Sequence, residues 1–349
     1  MRKSVSILAA GLAMATLFAA TACGGGNLGS SAAGGASSSS TTVAPADMKI
    51  AMIPKFTSDP YFVAADAGAQ EAAKELGVTV TFNGPVDADV AKQSDLVDQF
   101  VQQKYNAITV SANDANAIAP ALKRAQAAGV KVSTFDADAA ADSRGVFLNQ
   151  TTFDDMGKTM VDMMVKQTGT SGKFLVVTAV LTAPNQNQWI DAMKKYIGEK
   201  YPHMSIEAVL PGDEDLAKSR QVTLDYLRAH PDTKGVWAVT GIATPGVAAA
   251  VEELGLQGKV AVTGLGVPSL VRPYIKNGTI KEVALWNPND IGYAAIFMAV
   301  AQVNGTLKTG TGSTLAAGRL GDLKFISNDT ILLGKPYVFN AQNIDKFTF

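Results

Sequence analysis

From Lys49 onward the chain alternates short apolar runs with stretches of helical periodicity, and this alternation constrains the fold more than any other feature. "KIAMIP", "VTVTF", "AITVSA" and "VKVSTFD" read as strands, while "YFVAADAGAQEAAKELG", "VAKQSDLVDQFVQQK" and "AIAPALKRAQAAG" between them place apolar residues at helical spacing. Strand and helix in succession imply crossover units around a parallel sheet. Several helical patterns run into glycine, at Gly77, Gly129, Gly255 and Gly278, each able to supply the left-handed residue beyond a helix end. A second series runs through "GVFLNQ", "KFLVVTAV", "SIEAVL", "GVWAVT" and "KVAVTGL". Two series of similar size predict an α/β protein of two lobes with parallel-sheet cores, and 349 residues exceed a typical single domain. With 47% apolar and 17% charged residues, both lobes have material for a core. The long pattern "DIGYAAIFMAVAQVNG" and the tail through "PYVFNAQNIDKF" would find a place by returning across the lobe boundary, a crossing that periodicity alone leaves open.

The N-terminus has another character. Arg2 and Lys3 precede "SVSILAAGLAMATLFAATA", a segment rich in small and apolar residues that meets the only cysteine, Cys23. This is the organisation of an export signal, and it is shorter than the roughly 20 apolar residues of a comfortable membrane span. "AATAC" followed by glycine resembles a bacterial lipoprotein box, with Ala20 where leucine is more common. Residues 1–22 are therefore expected to be a signal peptide and Cys23 the site of lipid attachment; the alternative is an ordinary signal cleaved nearby. A lone cysteine makes no internal disulfide, so the folded body must rely on packing. The glycine- and serine-rich stretch that follows has nothing to build a core and reads as a flexible linker spanning 23–46. The net charge of -1 argues against a broad basic face for nucleic acid.

In open α/β sheets ligands bind beyond the carboxyl ends of the strands, so the residues just after each apolar run are the candidates. "TAPNQNQW" at 182–189 is the densest such stretch: Asn185, Gln186, Asn187 and Gln188 fall on an expected strand-to-helix loop, as ligand contacts or, for Asn187, as a helix cap. Lys55 and "DPYF" follow the first strand, "SAND" with Asn113 the third and "DAD" with Asp136 the fourth. "TG" and "LGVPS" follow later runs, and "WNPND" brings Trp286 and Asn287. Amides, hydroxyls, carboxylates and aromatics together suit a polyhydroxylated ligand, because carboxylates accept hydroxyl protons, amides donate and accept, and aromatic faces cover a ring. Asp136 is the leading acceptor, with a turn as its structural alternative; Asp138 is the stronger cap. Lys55 could donate to the ligand, pair with Asp136 or stay exposed. Tyr61, Phe62 and Trp286 could stack on a ring or pack in the core, and Asn113 and Asn287 could cap turns.

Catalysis has less support. His203 and His230 precede strands, at the end opposite the expected crevice. "GLGVPS" begins like a dinucleotide loop but has Ser269 at the third small position and lies late in the chain. No phosphate loop or metal-ligand spacing is evident. We expect no catalytic residues, no metal and no cofactor.

From about Lys49 to Phe349 these features together resemble the type I periplasmic substrate-binding proteins of bacterial ABC importers, in the rhamnose-binding and autoinducer-2-binding branch. The resemblance is carried by "GAQEAAKELGV", "AITVSAND", "PALKRA", "NQNQW", "VTGLGVPS", "LWNPNDIGY", "AAGR" and "FNAQNIDKF". It implies two Rossmann-like lobes joined by three hinge segments, set here at 47–150 plus 288–325 and 151–287 plus 326–349, around a sugar-sized cleft. It also implies a monosaccharide ligand, a permease with a separate ATPase subunit, contact with the membrane through a lipid anchor only, no nucleic acid, and a monomer.

Carried over position by position, the autoinducer-2 site places its lysine on Lys55, its first aspartate on Asp136 and its Asp-Gln pair on Asn185 and Gln186. Its later proline and alanine fall on Val239 and Gly241. Lys55, Asp136 and Gln186 match and the other three positions depart, so the resemblance favours a rhamnose-like deoxyhexose over autoinducer-2. A LacI-type regulator would share the architecture but would require an N-terminal helix-turn-helix where this chain has an export signal and a linker.

Overall fold

The computed structural model describes residues 43–349, which belong to one compact unit. The expected signal peptide, Cys23 and most of the expected linker lie outside the described residues. The last part of that linker is folded: Val43 packs against the core, Pro45–Asp47 form a 3-10 turn, and Met48 is fully buried.

The first sheet is built from β1 (Lys49–Ile53), β2 (Thr79–Phe82), β3 (Ala107–Val110), β4 (Lys131–Phe135) and β5 (Val146–Asn149), with α1 (Pro60–Leu76), α2 (Val90–Gln102) and α3 (Ala119–Ala127) as crossovers. After β5 come α4 (Phe153–Thr168), β6 (Ser171–Thr178), α5 (Pro184–Lys200), β7 (His203–Pro211), α6 (Leu216–Ala229), β8 (Thr233–Ala238), α7 (Ala243–Glu253), β9 (Ala261–Gly264), α8 (Pro268–Lys276) and β10 (Glu282–Leu285). The chain closes with α9 (Pro288–Val303), an antiparallel pair β11 (Thr314–Ala316) and β12 (Asp322–Lys324), then β13 (Thr330–Leu332) and β14 (Tyr337–Asn340).

One lobe carries the six-stranded parallel sheet β13-β5-β4-β3-β1-β2 and the other the four-stranded parallel sheet β7-β6-β8-β9. β10 continues the second sheet through bridges Val262–Ile280 and Leu265–Ala284, and β14 pairs antiparallel with β10. This is the α/β, two-lobed, parallel-sheet architecture expected from the sequence. Residues alternate across the first sheet: Ile50 and Met52 join the core beneath α1 and α9, while Ala51 and Ile53 face that beneath α2 and α3. Gly77, Gly129, Gly255 and Gly278 all take positive φ, between 64° and 87°.

The helix α9 is apolar on nearly all sides and packs on α1 and on β3 and β4, which brings the chain back to the first lobe after Trp286. The two helices approach so closely that a Cβ on Gly68 would lie 1.8 Å from Asn289 O and one on Gly292 1.8 Å from Ala65 O. The expected last boundary between 325 and 326 is displaced. Residues Thr330–Leu332 pair in parallel with β5, so the chain leaves the first sheet only after Leu332. A strand of three residues is too short to register as periodicity.

Candidate functional site

The carboxyl ends of both sheets meet at a cavity of about 50 Å3, or about 400 Å3 counting its open mouth. From the first lobe, Lys55 follows β1, the start of α1 contributes Asp59, Tyr61 and Phe62, and Asp136 follows β4. From the second, α5 contributes Asn185, Gln186 and Trp189, and the segment after β8 gives Val239, Thr240 and Gly241. Glu214 follows β7, while Leu265, Val267, Leu285 and Trp286 follow or end β9 and β10.

Asp136 is 4% exposed and sits in the left-handed region at φ 60°, where a non-glycine residue is uncommon. Its oxygens accept from Ser111 Oγ at 2.7 Å and Tyr61 OH at 3.3 Å. Burial raises its carboxyl above the ordinary range, against the lowering effect of Lys55 and these two hydroxyls. Asp59 caps α1, accepting from Tyr61 N at 2.9 Å; burial first, and the nearby charge of Glu214 second, push its carboxyl up to about 7. Glu214, at φ 54°, accepts from Thr240 Oγ1 and from Gln186 Nε2 at 3.4 Å, and burial raises its carboxyl too. Burial and the charge of Asp136 hold the Tyr61 phenol well above its usual range.

Two side-chain hydrogen bonds cross the cleft among the described residues. Lys55 Nζ donates to Asn185 Oδ1 at 3.1 Å, and Trp286 Nε1 donates to Tyr61 OH at 2.7 Å. Lys55 is 5% exposed, so the exposed alternative does not hold, and among the described residues its side-chain hydrogen bond goes to Asn185 and not to a carboxylate. Tyr61 meets Phe62 and Trp286 edge to face at 4.9 and 5.8 Å, and Trp189 lies 5.8 Å from Trp286. The indole N–H of Trp189 is buried without an acceptor among the described residues.

The structure therefore brings together Lys55, Phe62, Asp136, Asn185, Gln186, Val239, Gly241 and Trp286. Asn113 and Asn287 are not on the cavity wall. Asn113 Nδ2 donates to Lys55 O at 2.8 Å, bracing the end of β1 from behind, and Asn287 Oδ1 caps α9 through Asn289 N at 3.0 Å. The amide run also differs from expectation. Pro184 starts α5 with Ala183 as its cap residue, so 185–188 form the first turn of the helix rather than a loop. Asn187 does not cap; its side chain donates to Leu181 O, and Gln188 bonds Pro184 O. Asp138 instead accepts from Ala139 N and Thr134 Oγ1 and pairs with Arg144.

Sequence reasoning missed Glu214 and Trp189 as wall residues, and reached Thr240 and Asp59 only as members of the stretches "TG" and "DPYF". Glu214 carried a usable signal, because "PGDED" is the segment after an apolar run. Gln93 was also missed: wholly buried, it donates to Pro54 O and Ser111 O and accepts from Asn113 N, tying together the ends of β1 and β3. Among the described residues no group of three or more His, Cys, Asp or Glu side chains is placed to hold a metal ion, and no helix is long and apolar enough to cross a membrane.

The model of a family described as a periplasmic binding protein domain matches residues 50–307. A sugar ABC transporter structure from Actinomyces odontolyticus is 38% identical, covering 87% of this chain and 99% of that one, at TM-score 0.72. An ABC transporter solute-binding protein from Clostridium phytofermentas with bound L-rhamnose is 30% identical over 86% and 97% of the two chains, at TM-score 0.81. LsrB from Clostridium saccharobutylicum in complex with AI-2 is 27% identical over 86% and 100%, at TM-score 0.82.

Proposed function

The chain belongs to the periplasmic binding protein domain family, and on that footing we propose that it is the extracytoplasmic solute-binding subunit of a sugar ABC importer, with a rhamnose-like deoxyhexose as its favoured ligand. The observation that carries this reading is the cavity between the two sets of strand ends. Its first wall offers carboxylates and a lysine, and its second offers Asn185 and Gln186, a hydroxyl and aromatic rings. Carboxylates accept from sugar hydroxyls and amide NH2 groups donate to them. The Nδ2 group of Asn185 makes no hydrogen bond among the described residues and is a donor available to such a ligand. The lobes close on the sugar, the closed form being favoured by the ligand's differential affinity for it, and the closed protein is read by a permease powered by a separate ATPase subunit. The protein acts as a monomer that binds and releases rather than as an enzyme, held at the membrane by lipid on Cys23.

A thermal-shift screen against monosaccharides and autoinducer-2 tests the ligand, since a ligand at 100 times its dissociation constant stabilises the fold by about 2.7 kcal/mol. A shift with L-rhamnose or another deoxyhexose is the expected result. A shift with autoinducer-2 alone would select the second reading, which the likeness to the AI-2 complex supports; none with any sugar would overturn both. For the anchor, Cys23→Ser should abolish lipid labelling, and unchanged labelling would sink that assignment.

A further inference from the structure

The second wall of the cavity changes character along its sheet. Across β7-β6-β8-β9, with β10 beside β9, Glu214 follows β7, Asn185 and Gln186 follow β6 and Thr240 follows β8; then come Leu265 and Val267 after β9 and Leu285 at the end of β10. The polar members bond one another, Gln186 Nε2 and Thr240 Oγ1 both donating to Glu214. Leu265, Val267 and Leu285 line the same cavity, are almost wholly buried, and have side chains with no donor or acceptor. The backbone of this corner is already engaged: Leu265 N donates to Ala238 O at 2.8 Å, Leu265 O accepts from Thr244 Oγ1, and Val267 O accepts from Leu270 N at 2.9 Å. Trp286, next in the chain after Leu285, gives its N–H to Tyr61.

Two further features single out Val267. It is the cap residue of α8, a position where serine, threonine, aspartate and asparagine are favoured and valine is among the poorest choices. A local rule broken on a cavity wall reflects a demand of the site rather than of the helix. Across the wall its neighbour is Gly241, whose missing side chain makes the room it fills, since a Cβ there would lie 2.8 Å from Val267 Cγ2.

We propose that Leu265, Val267 and Leu285 form a methyl subsite, which receives C6 of a 6-deoxyhexose and discriminates against the 6-hydroxy sugar of the same stereochemistry, with Val267 as its specificity-determining residue. This rests on the sugar-binding reading above and assigns its preference for a deoxyhexose to particular side chains. A hydroxyl buried against this surface gives up water and finds no partner on it, whereas a methyl gains by leaving water. Apolar pockets reject an added hydroxyl by up to about a hundredfold, which bounds the effect.

The test is calorimetry on the full-length chain in detergent at neutral pH, with a panel of neutral sugars in pairs that differ only at C6: L-rhamnose and L-mannose, L-fucose and L-galactose, D-fucose and D-galactose. In a pair that binds, the 6-deoxy sugar should bind about tenfold or more tightly than its partner. Val267→Ala removes two methyls from the corner and opens it to water, so it should cut that ratio by about fivefold, chiefly by weakening the 6-deoxy sugar. A 6-hydroxy sugar binding the parent as tightly as its 6-deoxy partner, or a ratio that Val267→Ala leaves unchanged, would overturn this inference and leave the sugar-binding reading standing. No binding by any sugar of the panel would overturn both.

Discussion

The seam between α1 and α9 and the cleft between the lobes are both buried, and they are built on opposite terms. At the seam, glycines let two helices touch backbone to backbone, with room for no Cβ at Gly68 or Gly292. At the cleft, carboxylates are buried with their proton affinities raised, and among the described residues the indole N–H of Trp189, a wall residue, has no acceptor. Close packing stabilises the fold whether or not a ligand is present. Buried, incompletely paired polar groups destabilise the empty cleft and become favourable when a ligand completes them. Binding sites are expected to carry such local conflicts, which packed seams avoid.

The largest expected effect is on the cleft side. The Asp59 carboxyl is pushed up to about 7 from an ordinary 3.8. The folded state therefore keeps a proton that the unfolded chain has released, so this contribution to stability is complete below about pH 4 and is lost as pH rises to about 7. Three units correspond to a loss of order 4 kcal/mol, less to the extent that water enters the cleft. Thermal unfolding across that window should show the parent losing stability and Asp59→Asn, which retains the helix cap, losing much less. Equal slopes would mean that Asp59 is not strained by burial.

The seam should answer differently. Gly68→Ala puts a methyl into the backbone of α9, and overpacking of this kind costs up to about 3 kcal/mol. Urea unfolding measures the loss, which should not depend on pH. A variant as stable as the parent would mean that α9 slides easily and that the seam is no more rigid than the cleft.

Asp136→Asn separates the two regions most directly. Asparagine tolerates the left-handed backbone at this position, so the substitution tests charge rather than strain. Hydrogen bonds to a charged group contribute about 1.5–3 kcal/mol, so sugar affinity should fall by roughly thirtyfold. The unliganded melting temperature should hold or rise, because burial already disfavours the carboxylate. If affinity and stability fall together, Asp136 belongs to the fold and not to the site.

This difference between seam and cleft also governs what could be read from the sequence. Strand runs and glycine stops follow local rules, so the two lobes and the strand-end residues Lys55 and Asp136 were legible, whereas Gln186, expected on a loop, lies in the first turn of α5. β13 was not, because its three residues gain their identity only from β5 beside them. Neither was the role of Asp59 or Glu214, since a cap before proline and an acid in "GDED" look the same in solvent as in a cleft. Asn113 and Asn287 stood at the right positions and turned inward to brace backbone, a choice of side-chain direction that no spacing encodes.

The smallest expected effect falls on the contact that joins the two walls. Asn185 Oδ1 accepts from Lys55 Nζ at 3.1 Å and from Gln186 N at 3.0 Å, which leaves its Nδ2 group for a ligand oxygen. Asn185→Asp keeps both of those acceptor bonds, turns the Lys55 contact into an ion pair, and removes only the donor. The empty closed cleft should therefore be no less stable, while a neutral sugar loses one hydrogen bond, a cost of about 0.5–1.5 kcal/mol or at most about tenfold in affinity. Calorimetry with whichever neutral sugar of the panel binds, paired with a melting curve of the unliganded protein, reads both sides. Undiminished affinity at every pH between about 5 and 8 would mean that Asn185 serves only to hold Lys55 across the cleft and that the sugar is gripped by the other wall.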